Sequence, residues 1–166
     1  MKVKDLMNRD VVTVRLTDGL ARAVESMQAR ECGCVPVIDE GSRVVGILTD
    51  RDVCLAALRT DRPLSRLGTE AAMSARVFTC KPGDTIAEAE HLMGLHQVRR
   101  LPVVDANGRL LGILSLDDIA KEACLEEGLI VPPVSAEAVG RTLGQISRSH
   151  LLVQEPVPKP EKRASK

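Results

Sequence analysis

Two short segments of this 166-residue chain carry the residue types that could hold a ligand: Thr49-Asp50-Arg51-Asp52 and Ser115-Leu116-Asp117-Asp118. In each, a hydroxyl residue follows a Gly-Ile-Leu run and a carboxylate stands three positions later. That spacing is a capping box, which needs no ligand to explain it. It is also ligand geometry, because a helix that begins where a strand ends presents free N–H groups and the positive end of its dipole. Those suit a phosphate or a ribose. An aspartate has two oxygens, so one can close the cap while the other accepts from sugar hydroxyls. The cations nearby are Arg51 and the pair Arg99-Arg100, which precedes Leu101-Pro102; Gly33-Cys34 stands before Val35-Pro36 in the same way.

Other chemistries find little support. Cys32-Gly33-Cys34 invites a metal, but no second Cys/His pair lies near it, and His91, His96 and His150 are scattered. The cysteines read as small apolar residues entering a strand, and no metal site is expected. There is no Gly-rich phosphate loop, no paired histidine at ligand spacing and no nucleophile elbow. No catalytic residue and no required cofactor are expected, so the chain does not read as an enzyme.

The elements that must position these residues come from an internal repeat. Shifting Met7 onto Met73 aligns Val11-Val-Thr-Val with Val77-Phe-Thr-Cys, Asp18 with Asp84, and Pro36-Val-Ile-Asp with Pro102-Val-Val-Asp. The same register puts Gly46-Ile-Leu-Thr on Gly112-Ile-Leu-Ser and Asp52 on Asp118. Each copy predicts β-α-β-β-α. Val11–Val14 and Val77–Cys80 read as short strands, and Asp18 and Asp84 as N-caps. Leu20, Ala23, Val24 and Met27, then Ile86, Ala89 and Met93, recur at helical spacing. Val35–Ile38 and Val44–Leu48 predict a hairpin across Asp39-Glu-Gly-Ser, matched by one that turns on Asn107-Gly108. Gly46 and Gly112 suggest close approach by backbone or ligand.

The expected divisions are repeat 1 at 1–59, a linker at 60–69, repeat 2 at 70–125, an extension at 126–150 and a disordered tail at 151–166. In the extension Ser135 can cap a helix with Val139, Leu143 and Ile146 on one face. The fold class is mixed α/β, with two half-buried units packed sheet to sheet about a pseudo-two-fold axis.

Composition narrows the partners. Phe78 is the sole aromatic residue, so a planar ligand must be held by aliphatic walls, and single-stranded nucleic acid lacks its stacking platforms. Basic and acidic residues balance at 23 each, leaving no global field for nucleic acid or anionic lipid. No stretch approaches the ~20 apolar residues of a membrane span. Five cysteines in no disulfide-framework pattern suit a reducing compartment, and a cytoplasmic protein is expected.

The doubled pattern VVTV…D…P-V-h-D…G-I-L-[TS]-x-x-D resembles a CBS-domain pair over about Val3 to Leu125. That resemblance implies one module with two clefts for adenosine ligands: AMP, ADP or ATP, with S-adenosylmethionine and cyclic dinucleotides as further candidates. It implies that Asp52 and Asp118 hold ribose hydroxyls, with Thr49 and Ser115 at the ribose or phosphate. Val12 and Thr13, Phe78 and Thr79, and the residues around Pro36 (Cys34, Val35) and Pro102 (Arg100, Leu101) would enclose the base. By the same likeness a basic residue before the proline reaches the phosphate of the other repeat's ligand. The Thr49/Asp52 cleft, with Arg51 local and Arg99 or Arg100 opposite, is then the better anion site. The Ser115/Asp118 cleft carries the extra carboxylate of Asp117 and suits a less charged ligand. The resemblance also implies a homodimer that regulates some other protein. The competing reading is a ligand-free dimerisation or docking module whose motifs are only caps.

Overall fold

Each repeat folds as its hydrophobic spacing dictates, in a computed structural model that describes residues 1–125 and 134–148. In repeat 1, β1 (Val14–Arg15) runs parallel to β2 (Cys34–Ile38), and β2 runs antiparallel to β3 (Val44–Thr49). The crossover from β1 to β2 is α2 (Leu20–Ala29), which follows a short N-terminal helix α1 (Val3–Leu6); α3 (Asp50–Thr60) follows β3. In repeat 2, α4 (Ile86–His96) leads to the hairpin of β4 (Arg100–Val104) and β5 (Leu110–Ser115), and α5 (Leu116–Leu125) closes the unit. Beyond it lies α6 (Ala136–Ile146), capped by Ser135 as expected. The tail at 151–166 lies outside the described residues.

The first strands are shorter than their sequence suggests. Only Val14 and Arg15 pair with β2, and in repeat 2 a single bridge, Cys80 to Val103, takes that place. Val11–Thr13 and Val77–Phe78 stay half-buried without a strand ladder. Asp18 and Asp84 are not the N-caps either. Their carboxylates accept from the N–H groups of Arg15 (2.8 Å) and Lys81 (2.7 Å), closing the turn that precedes each helix. The caps are Gly19, with no side chain to offer, and Thr85, which forms a capping box with Glu88. The cap is set by the backbone: Gly19 and Thr85 carry the extended conformation that precedes each helix, so the cap falls one position after the aspartate.

The halves are tied by exchanged leading segments. Asn8 and Ile113 trade both backbone hydrogen bonds at 2.9 Å, and Ser74 and Ile47 do the same at 2.9 and 3.0 Å. Val3 and Met7 consequently lie in the core of repeat 2, with Met93, Leu101, Leu114 and Ile119. Leu67 and Ala72 lie in the core of repeat 1, with Leu20, Val35, Val37 and Leu48. The stretch 60–69 is therefore more than a connector, since Leu67 and Thr69 are buried in it. Gly46 and Gly112 make the exchange possible. A Cβ on Gly46 would meet Met73 Sδ at 2.6 Å, and one on Gly112 would meet the Asn8 carbonyl at 2.8 Å. At the hairpin tips the equivalent residues Arg43 and Arg109 bridge to each other. The axis relating the repeats passes between them.

Candidate functional site

The Thr49–Asp52 segment sits where β3 becomes α3. Thr49 has extended backbone, and its hydroxyl accepts from the Asp52 N–H at 3.2 Å. Asp52 Oδ2 accepts from both the Thr49 N–H (3.0 Å) and the Thr49 hydroxyl (2.7 Å). Ser115 and Asp118 repeat this arrangement at the start of α5, at 2.9 and 2.6 Å. In both aspartates Oδ1 accepts no hydrogen bond from the described residues. A half-buried carboxylate with one oxygen fixed and one open can serve as cap and acceptor together.

A cavity of about 520 Å³ opens beside Thr49. Repeat 1 contributes Cys34, Ile47, Thr49 and Arg51 to its wall; repeat 2 contributes Gln97, Val98, Arg99 and Arg100. Strand pairing explains the convergence. Cys34 is opposite Thr49 in the β2–β3 ladder and Arg100 is opposite Ser115 in β4–β5, so the axis brings each pair toward the other sheet. Among the described residues none of Arg51, Arg99 and Arg100 is in an ion pair; the pairs formed are Arg22–Asp18, Arg30–Asp10 and Arg141–Glu137. Three cations without an ion pair at one cavity favour an anion there, in opposition to the nearby carboxylates of Asp50 and Asp52. Burial pushes the Cys34 thiol up to about 11, with Arg100 pulling the other way. The thiol is therefore neutral near pH 7, a small wall rather than a nucleophile.

The second cleft is smaller and differently charged. A cavity of about 170 Å³ is bounded by Val11, Val12, Cys32 and Cys34 of repeat 1, with Ile113 from repeat 2. Asp10 and Arg30 also line it and neutralise each other at 2.8 Å. The repeat-2 counterparts of Asp10, Val12 and Arg30 are Arg76, Phe78 and His96. There the Phe78 ring stacks on His96, with centroids 3.6 Å apart, and Arg76 lies over the Phe78 ring at 5.1 Å.

The expected site residues fall into four groups. Cys34, Thr49, Arg51, Arg99 and Arg100 meet at the larger cavity. Asp52, Ser115, Asp118 and Phe78 are half-buried beside the clefts without lining either cavity. Val35 and Leu101 are fully buried core side chains, and Pro36 and Pro102 are buried next to them. Any part these four take in binding is through their backbone. Thr13 is half-buried and Thr79 exposed, and neither lines a cavity. Sequence reasoning missed Ile47, Gln97, Val98 and Ile146, all at the larger cavity. Ile47 was legible as part of the repeated Gly-Ile-Leu run; the others had no comparable signal.

Comparison with known proteins adds the following. The CBS domain family model matches residues 3–59 and 69–124. The chain is 37% identical over 120 residues to the uncharacterized protein YlbB of Bacillus subtilis (strain 168), covering 72% of this chain and 80% of that one. It is 33% identical over 149 residues to the CBS domain-containing protein YhcV of the same organism, covering 90% and 97%. Among solved structures, CBSX2 in complex with AMP superposes with a TM-score of 0.66 at 25% identity, over 75% of this chain and 96% of that one.

Proposed function

The chain belongs to the CBS-domain family, and from that premise we propose that it is a regulatory module whose Thr49/Asp52 cleft binds an adenosine ligand bearing phosphate. Its two repeats are ligand-sensing, regulatory units and not an enzyme. The observation that carries the ligand reading is the convergence of Arg51, Arg99 and Arg100, in no ion pair among the described residues, on a cavity that begins at Thr49. The volume of about 520 Å³ falls within the ~300–1,000 Å³ usual for small-molecule sites. In this reading Asp52 Oδ1 accepts from a ribose hydroxyl and the arginines neutralise phosphate. Val98, Ile47 and Cys34 supply the aliphatic wall that a chain without Trp or Tyr must use. AMP binding by the structural relative CBSX2 supports the ligand class. AMP, ADP and ATP are the favoured candidates, ahead of S-adenosylmethionine and cyclic dinucleotides. The Ser115/Asp118 cleft, with Asp117 exposed at its helix start and the smaller cavity of the neutral Asp10–Arg30 pair on its side of the module, suits a less charged adenosine compound.

No helix among the described residues is long and apolar enough to cross a membrane. The five cysteines are free, which agrees with a reducing, cytoplasmic setting. The assembly proposed is a homodimer through α2 and α3, because α6 already packs on α4 and α5 while Leu55 and Leu58 of α3 stand exposed. Occupancy of the cleft would shift the packing of repeats or subunits, as far as the ligand's affinity differs between the states.

A thermal-shift screen tests the ligand. A nucleotide at ~100 times its dissociation constant adds about 2.7 kcal/mol, roughly 5–10 °C for a chain of this size. A flat response to AMP, ADP, ATP, S-adenosylmethionine and cyclic dinucleotides would instead mark a docking module.

A further inference from the structure

The two repeats diverge along one stripe of their first long helix, and that stripe is where α6 lies. At the aligned positions repeat 1 has Val24, Gln28 and Glu31, whereas repeat 2 has Glu90, Gly94 and Gln97. Each repeat-2 residue fits α6. The Thr142 hydroxyl, buried, donates to Glu90 Oε1 at 3.4 Å. The Gln145 side chain occupies the space that any Cβ on Gly94 would need, with its Cδ 3.1 Å from that point. Gln97 Nε2 donates to the carbonyls of Gln145 (3.3 Å) and Arg148 (2.9 Å), satisfying acceptors at the end of α6. Glu31 and Gln97 share a left-handed backbone, at φ 49° and 54°. A carboxylate at the first could only repel those carbonyls. These side chains fit α6 to repeat 2, the repeat it follows in the chain.

The docked helix also reaches the ligand cleft. Ile146 lines the larger cavity, and so does Gln97, one residue before Val98-Arg99-Arg100. The cavity remains about 520 Å³ with α6 in place, so the helix bounds the space without filling it. We propose that α6 is a working wall of the Thr49 cleft, and that ligand binding there and docking of α6 stabilise each other. This rests on the adenosine-ligand reading and extends it from the two repeats to the C-terminal helix. Coupling of this kind is reciprocal: whatever factor docking adds to affinity, ligand adds to docking. It makes α6 the element through which occupancy becomes visible outside the cleft, since Leu143 on its outer side is 44% exposed.

The experiment uses the full chain and AMP, ADP and ATP as probes, with amide exchange over 136–146 read beside calorimetric affinity. In the parent, a saturating nucleotide should slow exchange in α6. Gly94→Gln, which places the repeat-1 residue under Gln145 at a position that does not itself line the Thr49 cavity, should speed exchange in α6 and weaken affinity about 3- to 10-fold. Ile146→Ala, which keeps the Glu90 and Gln97 contacts, should weaken affinity with α6 still docked. The idea is overturned if nucleotide binds but leaves α6 exchange unchanged. It is equally overturned if Gly94→Gln frees α6, or Ile146→Ala opens the wall, with affinity within twofold of the parent. If no probe binds the parent, the ligand reading itself falls; binding without coupling removes only the role of α6.

Discussion

Asp52→Asn separates the two jobs assigned to one carboxylate. In the structure Oδ2 is committed to the Thr49 N–H and hydroxyl, at 3.0 and 2.7 Å, while Oδ1 is open. Asparagine keeps one carbonyl oxygen for the cap, so the fold should lose at most about 1 kcal/mol. At the open position it offers an N–H₂ donor and no charge. A hydrogen bond to a charged group contributes about 1.5–3 kcal/mol. Losing one ribose bond should therefore weaken nucleotide binding by roughly 10- to 150-fold. The assay is calorimetric titration of AMP, ADP and ATP into parent and variant, with melting curves of both without ligand. An Asp52→Asn protein that binds as tightly as the parent would show that the carboxylate only caps α3. A melting temperature that collapses without ligand would show that the cap depends on charge, contrary to the reasoning.

Arg100→Ala should weaken AMP by at least several-fold more than it weakens adenosine, because the two differ only in phosphate; equal losses in competition titrations would remove Arg100 from the anion site. Burial raises the Glu90 carboxyl above its ordinary value near 4.5. The stability that comes with its neutral form is therefore complete below about 4.5 and lost as pH rises through the higher folded value. Glu90→Gln, which can still accept from Thr142, should raise the melting temperature more at pH 7 than at pH 4; the reverse order would contradict the assignment. Light scattering should give twice the 17.9 kDa chain mass, falling to one chain for Leu58→Asp; a parent of single-chain mass at tens of micromolar would refute the dimer.

The repeat made much of this molecule legible. Both hydroxyl–Asp boxes form at the ends of their strands, and both hairpins close on the expected segments, because these depend on local spacing and turn chemistry. What sequence reading could not reach depends on distant partners. Val3 and Met7 open repeat 1 in sequence yet complete the core of repeat 2, and nothing in an apolar residue says which half it enters. Gly46 and Gly112 were readable as points of close approach, but the visitor is the exchanged segment. On α6 the apolar stripe was only partly right. Val139 and Ile146 face the core of repeat 2, but Leu143 is 44% exposed and Thr142 is buried in its stead. A buried threonine is favourable there only because Glu90 waits across the interface, a pairing 52 residues apart in sequence.

The most direct test of the central claim is to locate the nucleotide. Titrating AMP, ADP and ATP into ¹⁵N-labelled full-length protein should give saturable shifts of the amides of Cys34, Thr49–Asp52 and Val98–Leu101, with smaller changes at Val11 and Val12. Shifts absent for all three nucleotides, or confined to residues away from the Thr49 cavity, would contradict it.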